Sequence, residues 1–223
     1  MRLKGDHGII MNHKKIRRIM TKYGLRCRIR RKNPYKMIMK KTQEHRTFDN
    51  ILDRNFRQIV PRKALCTDIT YLYYGAGRRA YLSAIKDIAT GEALSWEVSR
   101  TIELEFVIST VAKLGDMDLP PDALIHSDQG FHYTSPVYIE QVKHLGIIQS
   151  MSRKANCIDN APMESFFGHF KDELDFRDCQ TFEQLRNAID EYMHYYNNQR
   201  YQWRLNKMTP VQYRSHLTAA MAA

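Results

Sequence analysis

The sequence predicts an α/β domain in which a mixed five-stranded sheet carries helices on its faces. Two patterns predict it, and the distribution of charge divides the chain. From Ala64 onward, three successive runs rich in β-branched and aromatic residues are separated by Gly-containing turns, the pattern of an antiparallel meander. Two shorter apolar runs, ALIHS and GIIQSMS, then alternate with segments of helical spacing. Finally, the net charge of +11 is unevenly placed: residues 1–62 carry 19 Lys/Arg against 4 Asp/Glu, whereas residues 63–223 carry 16 against 20. A slightly acidic body therefore follows a basic arm, and a polyphosphate is the partner such an arm suits.

In chain order, NHKKIRRIMTKYG reads as a short helix, with Asn12 as its cap, Ile16, Met20 and Tyr23 on one face, and Gly24 just past its end. Its exposed cations, Lys14, Lys15, Arg17 and Arg18, are candidate phosphate contacts. RCRIRRKNPYKMIMKK is a basic extended run, and residues 43–62 are expected to form a linker. ALCTDITYLYY, RAYLSAIKDI and ALSWEVS are the three meander strands. TIELEFVISTVAKLG is a helix for which Thr101 is the expected cap. ALIHS is a fourth strand, Ser135-Pro136 starts a helix over 136–145, and GIIQSMS is a fifth strand. After the polar loop SRKANCIDN, a helix is expected over 161–175. A capping box of Thr181 and Gln184 opens another helix to about Asn198, and Thr209-Pro210 starts the last. The order βββαβαβα is that of the RNase H-like fold. The expected division is 1–42 basic helical segment, 43–62 linker, 63–178 core and 179–223 helical extension.

Composition excludes several classes. No stretch approaches the 18 or so consecutive apolar residues of a membrane span, and MRLKGDHGII lacks the apolar run of a signal peptide. A cytoplasmic, nucleoid-associated protein is the expectation. Cys27, Cys66, Cys157 and Cys179 are scattered without a CxxC pair, so neither a disulfide framework nor a zinc site is expected. Cys66 reads as a small buried strand residue.

Three acids stand out by position. Asp68 lies mid-strand, where Asp has poor β-propensity and is costly if buried without a partner. Asp128 follows the fourth strand and precedes Gln129-Gly130. Glu164 sits in the first turn of a helix, with 35 residues between it and Asp128. At about 100° per residue, Met163, Phe167, Phe170 and Leu174 form that helix's apolar stripe, with Glu164, Gly168 and Lys171 together at its rim. Glu173 falls about 180° from Glu164 and cannot share a cleft with it. Three carboxylates suit Mg²⁺ or Mn²⁺, hard cations that prefer oxygen ligands, and two such ions about 4 Å apart can drive in-line phosphoryl transfer. Gly168 leaves room beside such a site, and Lys171 can reach a phosphate.

The motifs TDIT around Asp68, HSDQG around Asp128 and DNAPMESFFGHFKDEL around Glu164 resemble the catalytic core of DDE transposases and retroviral integrases. The resemblance is strongest to the second reading frame of insertion-sequence-three transposases. The 35-residue Asp-to-Glu spacing and the Lys seven residues after the Glu both match that group. YNNQRYQWRLNKMTP and MNHKKIRRIMTKYGL are also similar to it, so nearly the whole chain is covered. Ala155 stands where many members have Gly. Members also carry further helices before the NHKK segment, so a shortened N-terminal region is expected. The resemblance implies Mg-dependent DNA cleavage at element ends and strand transfer into a target, with Asp68, Asp128 and Glu164 holding two metal ions. It also implies a homo-oligomer on DNA and a first-frame partner supplying a helix-turn-helix. A catalytically idle DNA-binding regulator and an RNase H-type nuclease are the alternatives.

Other residues receive plainer expectations. His126 and His132, flanking Asp128, are assigned to packing or DNA contact, and Asp159-Asn160 to capping the helix that follows. Tyr195, Tyr196, Tyr201 and Trp203 are candidates to stack on bases, of which helix spacing assigns the first two mainly to the core, while Arg153 and Lys154 are candidate DNA contacts.

Overall fold

The computed structural model describes residues 2–26, 47–154 and 156–222. The extended basic run and position 155 lie outside the described residues. Two helices occupy the arm, α1 (Arg2–His7) and α2 (His13–Lys22). The core contributes β1 (Ala64–Tyr74), β2 (Arg78–Asp87), β3 (Ala93–Ser99), α3 (Leu104–Ala112), β4 (Leu124–Ser127), the short α4 (Phe131–Thr134), α5 (Pro136–His144), β5 (Ile148–Met151) and α6 (Ala161–Glu173). Then come α7 (Phe182–Asn198) and α8 (Pro210–Ala222). The sheet order is β3-β2-β1-β4-β5, with the first three strands antiparallel and β1, β4 and β5 parallel.

Strand alternation divides two cores between the faces of the sheet. Cys66, Leu72 and Tyr74 of β1 pack with Met163, Phe166, Phe167 and Phe170 of α6 and with Leu185, Ile189 and Tyr196 of α7. Leu65 of β1 packs on the opposite face with Phe106, Val107 and Val111 of α3, Ile125 of β4 and Val142 of α5. Truncating one of the buried α6 rings to Ala costs about 3–5 kcal/mol. Asp68 shares the parity of Cys66 and so belongs, by register, to the α6 face.

Local chemistry explains the element ends. Asn12 accepts from the Lys15 N–H, Ser135 from the Tyr138 N–H, and Thr181 and Gln184 form the reciprocal capping box of α7. Two expectations need correction. Thr101 does not cap α3, which starts at Leu104 after an extended Glu103. The His132 ring bonds the Ile102 carbonyl at 3.0 Å, holding that backbone in the preceding loop. Asp159 and Asn160 do not cap α6 with their side chains. Asn160 is turned to the Thr67 carbonyl (3.1 Å), and Asp159 belongs to an ion cluster described below.

Residues 47–62 carry no helix or strand, yet they are fastened to the core. Leu52 is buried, and the Ile51 and Leu52 N–H groups donate to Ser150 Oγ at 3.0 and 3.1 Å. The YNNQR…TP tail is architectural in the same way. The Asn197 amide pairs with both the N–H and the C=O of Ala93 (2.9 and 2.8 Å), fixing the start of β3. Thr209 and Gln212 exchange bonds at the head of α8. No helix among the described residues is long and apolar enough to cross a membrane.

Candidate active site

Asp68 and Asp128 are brought together by the β1/β4 pairing. The last paired residues of the parallel ladder are Cys66 and His126, and each acid lies two residues further along the chain, Asp68 still within β1 and Asp128 just past the end of β4. The carboxyl ends of parallel strands are where α/β sheets bind ligands, because the chain leaves the sheet there and opens a crevice. Both carboxylates line one groove of about 180 Å³, together with Tyr71, Gly130, His132 and Tyr133. The Gly130 N–H donates to Asp128 Oδ1 at 2.9 Å, and a Cβ at position 130 would stand only 2.8 Å from that oxygen. A side chain at position 130 would therefore push the Asp128 carboxylate out of this orientation. Tyr133, fully buried beneath the groove, has its phenol held well above its ordinary pKa, first by burial and then by the negative field of Asp68 and Asp128.

Glu164 is exposed on the first turn of α6 and is not among the groove-lining residues. Its helix is nevertheless pinned to the strand that carries Asp68, through the bond from Asn160 to Thr67. Lys171, on the same stripe two turns on, packs its ammonium 4.9 Å from the centroid of the Tyr71 ring, at the groove wall. Glu173 faces elsewhere, paired with Arg200 at 2.6 Å and with the Tyr192 hydroxyl at 3.1 Å.

Asp159 has a different character. Its buried carboxylate accepts from Arg54 Nε (2.7 Å), Asn50 Nδ2 (3.1 Å), the Arg153 N–H (2.9 Å) and the Arg153 guanidinium (3.0 Å). The Arg153 hydrogen bonds hold its pKa well below the usual carboxylate range. Arg153, a candidate DNA contact, thus has an internal partner, while Lys154 beside it is exposed. Lys14, Lys15, Arg17 and Arg18 are exposed on α2.

The histidines have settled roles. His126 is buried, its two ring nitrogens bonded to Ser150 Oγ (2.9 Å) and Ser152 Oγ (3.1 Å), and burial lowers its pKa to about 4. It is a neutral packing residue. The buried Cys66 thiol is pushed up to about 12 by burial, so it stays protonated and packs as a small apolar side chain. Among the described residues, no three His, Cys, Asp or Glu side chains stand close enough together to hold a metal ion. The groove therefore offers two carboxylates and no thiolate, a donor set that suits a hard cation such as Mg²⁺ or Mn²⁺ in kind. Sequence reasoning missed the Arg54–Asp159–Arg153 cluster, because its members are up to 105 residues apart.

Comparison with known proteins agrees with this architecture. Models of the integrase core domain match residues 60–157 and 164–217. An uncharacterized transposase-like protein of Haemophilus influenzae is 36% identical, over 96% of this chain and 98% of its own length. The putative transposase InsK of insertion sequence element IS150 from Escherichia coli is 34% identical, over 92% of this chain and 72% of its own length. Among solved structures, the HTLV-2 integrase catalytic core domain in complex with magnesium superposes with a TM-score of 0.58 at 20% identity, covering 71% of this chain and 99% of that one. The BIV integrase catalytic core domain gives 0.55 at 17% identity, covering 73% and 99%. These two likenesses establish the fold.

Proposed function

Because this chain belongs to the insertion-sequence transposases that carry an integrase core domain, we propose that it cleaves DNA at the ends of its element and joins them to a target. The observation that carries the reading is the groove shared by Asp68 and Asp128, just beyond the point where the parallel pairing of β1 and β4 ends. Asp68, Asp128 and Glu164 are the residues that would hold the metal, Glu164 being carried on the helix that Asn160 ties to β1. When bound, two Mg²⁺ or Mn²⁺ ions activate the attacking oxygen and stabilise the leaving one.

The chain's own residues do the rest. The Gly130 N–H orients Asp128, and Asn160 holds α6 in register with β1. Lys171 is placed for a phosphate beside the groove, where a positive charge offsets that of the backbone. Lys154 and the α2 cations Lys14, Lys15, Arg17 and Arg18 add sequence-independent attraction to flanking DNA. Arg153, through Asp159, fixes the loop that presents Lys154. Work at two DNA ends calls for more than one copy, so a homo-oligomer on DNA, aided by a first-frame helix-turn-helix protein, is part of the proposal. The place of action is the bacterial cytoplasm, at the nucleoid.

The test incubates the purified chain with a labelled element-end duplex and Mg²⁺, beside a Glu164→Gln variant. Joined strand-transfer products from the native chain alone are the expected result. Binding without chemistry in both would favour an idle regulator. Cleavage of RNA–DNA hybrids without joining would favour a nuclease.

A further inference from the structure

A second concavity, of about 380 Å³, lies on the other side of α6 and is built from three distant parts of the chain. Lys86 comes from β2, Ser165 and His169 from α6, and Tyr201, Trp203 and Arg204 from the loop before α8. Among the described residues that line it there is no carboxylate.

Its floor is an under-compensated cation. Lys86 is 4% exposed, and among the described residues its ammonium meets the Pro162 carbonyl at 3.5 Å and the rings of Phe166 (5.4 Å) and Tyr196 (6.0 Å). Burying a charge on one long hydrogen bond and two ring faces is costly unless an anion completes the shell. The Gln202 side-chain amide nitrogen, shielded from solvent in the same wall, has no acceptor among the described residues. Arg204 is exposed at the rim. Trp203 is 64% exposed beside these cations, with the Lys207 ammonium 5.0 Å from its ring centroid.

We propose that this pocket binds single-stranded DNA, taking a phosphate at Lys86 and Arg204 and stacking the adjoining base on Trp203. Cations that follow a backbone, interleaved with aromatic faces that accept any base, are the chemistry of single-strand binding. The placement suits an unpaired strand next to the reacting phosphate. Ser165 and His169 lie about 100 to 140° around α6 from Glu164, so the pocket flanks the helix that carries the proposed third ligand. This inference rests on the DNA-processing function proposed above.

The test uses the full chain with two element-end duplexes, one blunt and one with an unpaired tail, read by fluorescence anisotropy and by tryptophan emission. The chain has two tryptophans, so a Trp203→Phe variant identifies the signal. The tailed duplex is expected to quench the native emission, and the blunt one to leave it largely unchanged. Arg204→Ala and Trp203→Ala, both at exposed positions, are expected to weaken binding of the tailed duplex about 10-fold, with a change of less than about 2-fold for the blunt one. Lys86→Met should act in the same direction, with its melting curve as the control for folding. Equal affinity of all variants for the tailed duplex, with no quenching, would overturn the pocket while leaving the DNA-processing reading intact. Failure of the native chain to bind either duplex would overturn both.

Discussion

Asp128 and Asp159 both lie in polar loops at the edge of the same sheet, and they have opposite fates. Asp128 is held by the Gly130 N–H and opens onto a groove that it shares with Asp68. Asp159 is buried beneath Arg54, Asn50 and Arg153, which saturate its oxygens. A carboxylate can serve as a metal ligand when its lone pairs face a cavity, and it serves as a rivet when arginines take them first. What separates the two is their neighbours in space, since both are followed by polar, turn-forming residues. The loop that Asp159 rivets leads directly into α6, so the structural acid holds the framework on which the proposed chemical acids depend.

The largest effect that would break this contrast concerns the groove. Asp68→Asn, Asp128→Asn or Glu164→Gln should each lower strand transfer by on the order of 10³-fold while the melting temperature stays put. Loss of folding instead would remove these residues from the ligand set. Next in size, Asp159→Ala should destabilise the protein by about 2–3 kcal/mol in chemical unfolding. It removes the common partner of two arginines, and their partial exposure lets water compensate in part.

The pH dependence sharpens the same contrast. His126 has a folded-state pKa of about 4, below its ordinary 6.5, so its unfolded form binds the proton more readily. The associated stability is complete above about pH 6.5 and is lost as the pH falls toward 4, by about 2 kcal/mol between pH 7.5 and 5. Asp159, depressed below the usual carboxylate range, loses its contribution only at lower pH, below about 4. Two separated phases in an acid stability profile should therefore appear, and His126→Asn should erase the upper one. The smallest effect belongs to Asn160. Asn160→Ala should cost about 1 kcal/mol of stability yet about 10-fold in strand transfer, because α6 would lose its register with Asp68. Equal losses in both would reduce Asn160 to an ordinary structural hydrogen bond.

Much of this was legible in the residues. The bounds of β1 and β3 and the capping box at Thr181 follow from local pattern, which contacts within a few positions decide. The start of α3 was not legible at Thr101, because the bond from His132 to Ile102 joins residues 30 apart. Asp159 read as a cap for the same reason: Asp-Asn before a helix is a local signal, and its true partner Arg54 arrives from a segment with no regular structure. Asp68 stood out because an acid inside a strand is locally costly, and Asp128 because it closes an apolar strand run just before Gln129-Gly130. The pocket around Lys86 was invisible, since a lysine in a strand reads as solvent-facing until three separate segments enclose it.

The central claim separates the acids that act on DNA from the acid that holds the frame. Its most direct test is single-turnover strand transfer, expressed per folded molecule, for Asp128→Asn beside Asp159→Asn. The account predicts a folded and inactive Asp128→Asn, and an Asp159→Asn that is less stable but active in proportion to its folded fraction. An active Asp128→Asn, or a fully folded Asp159→Asn without activity, would contradict it.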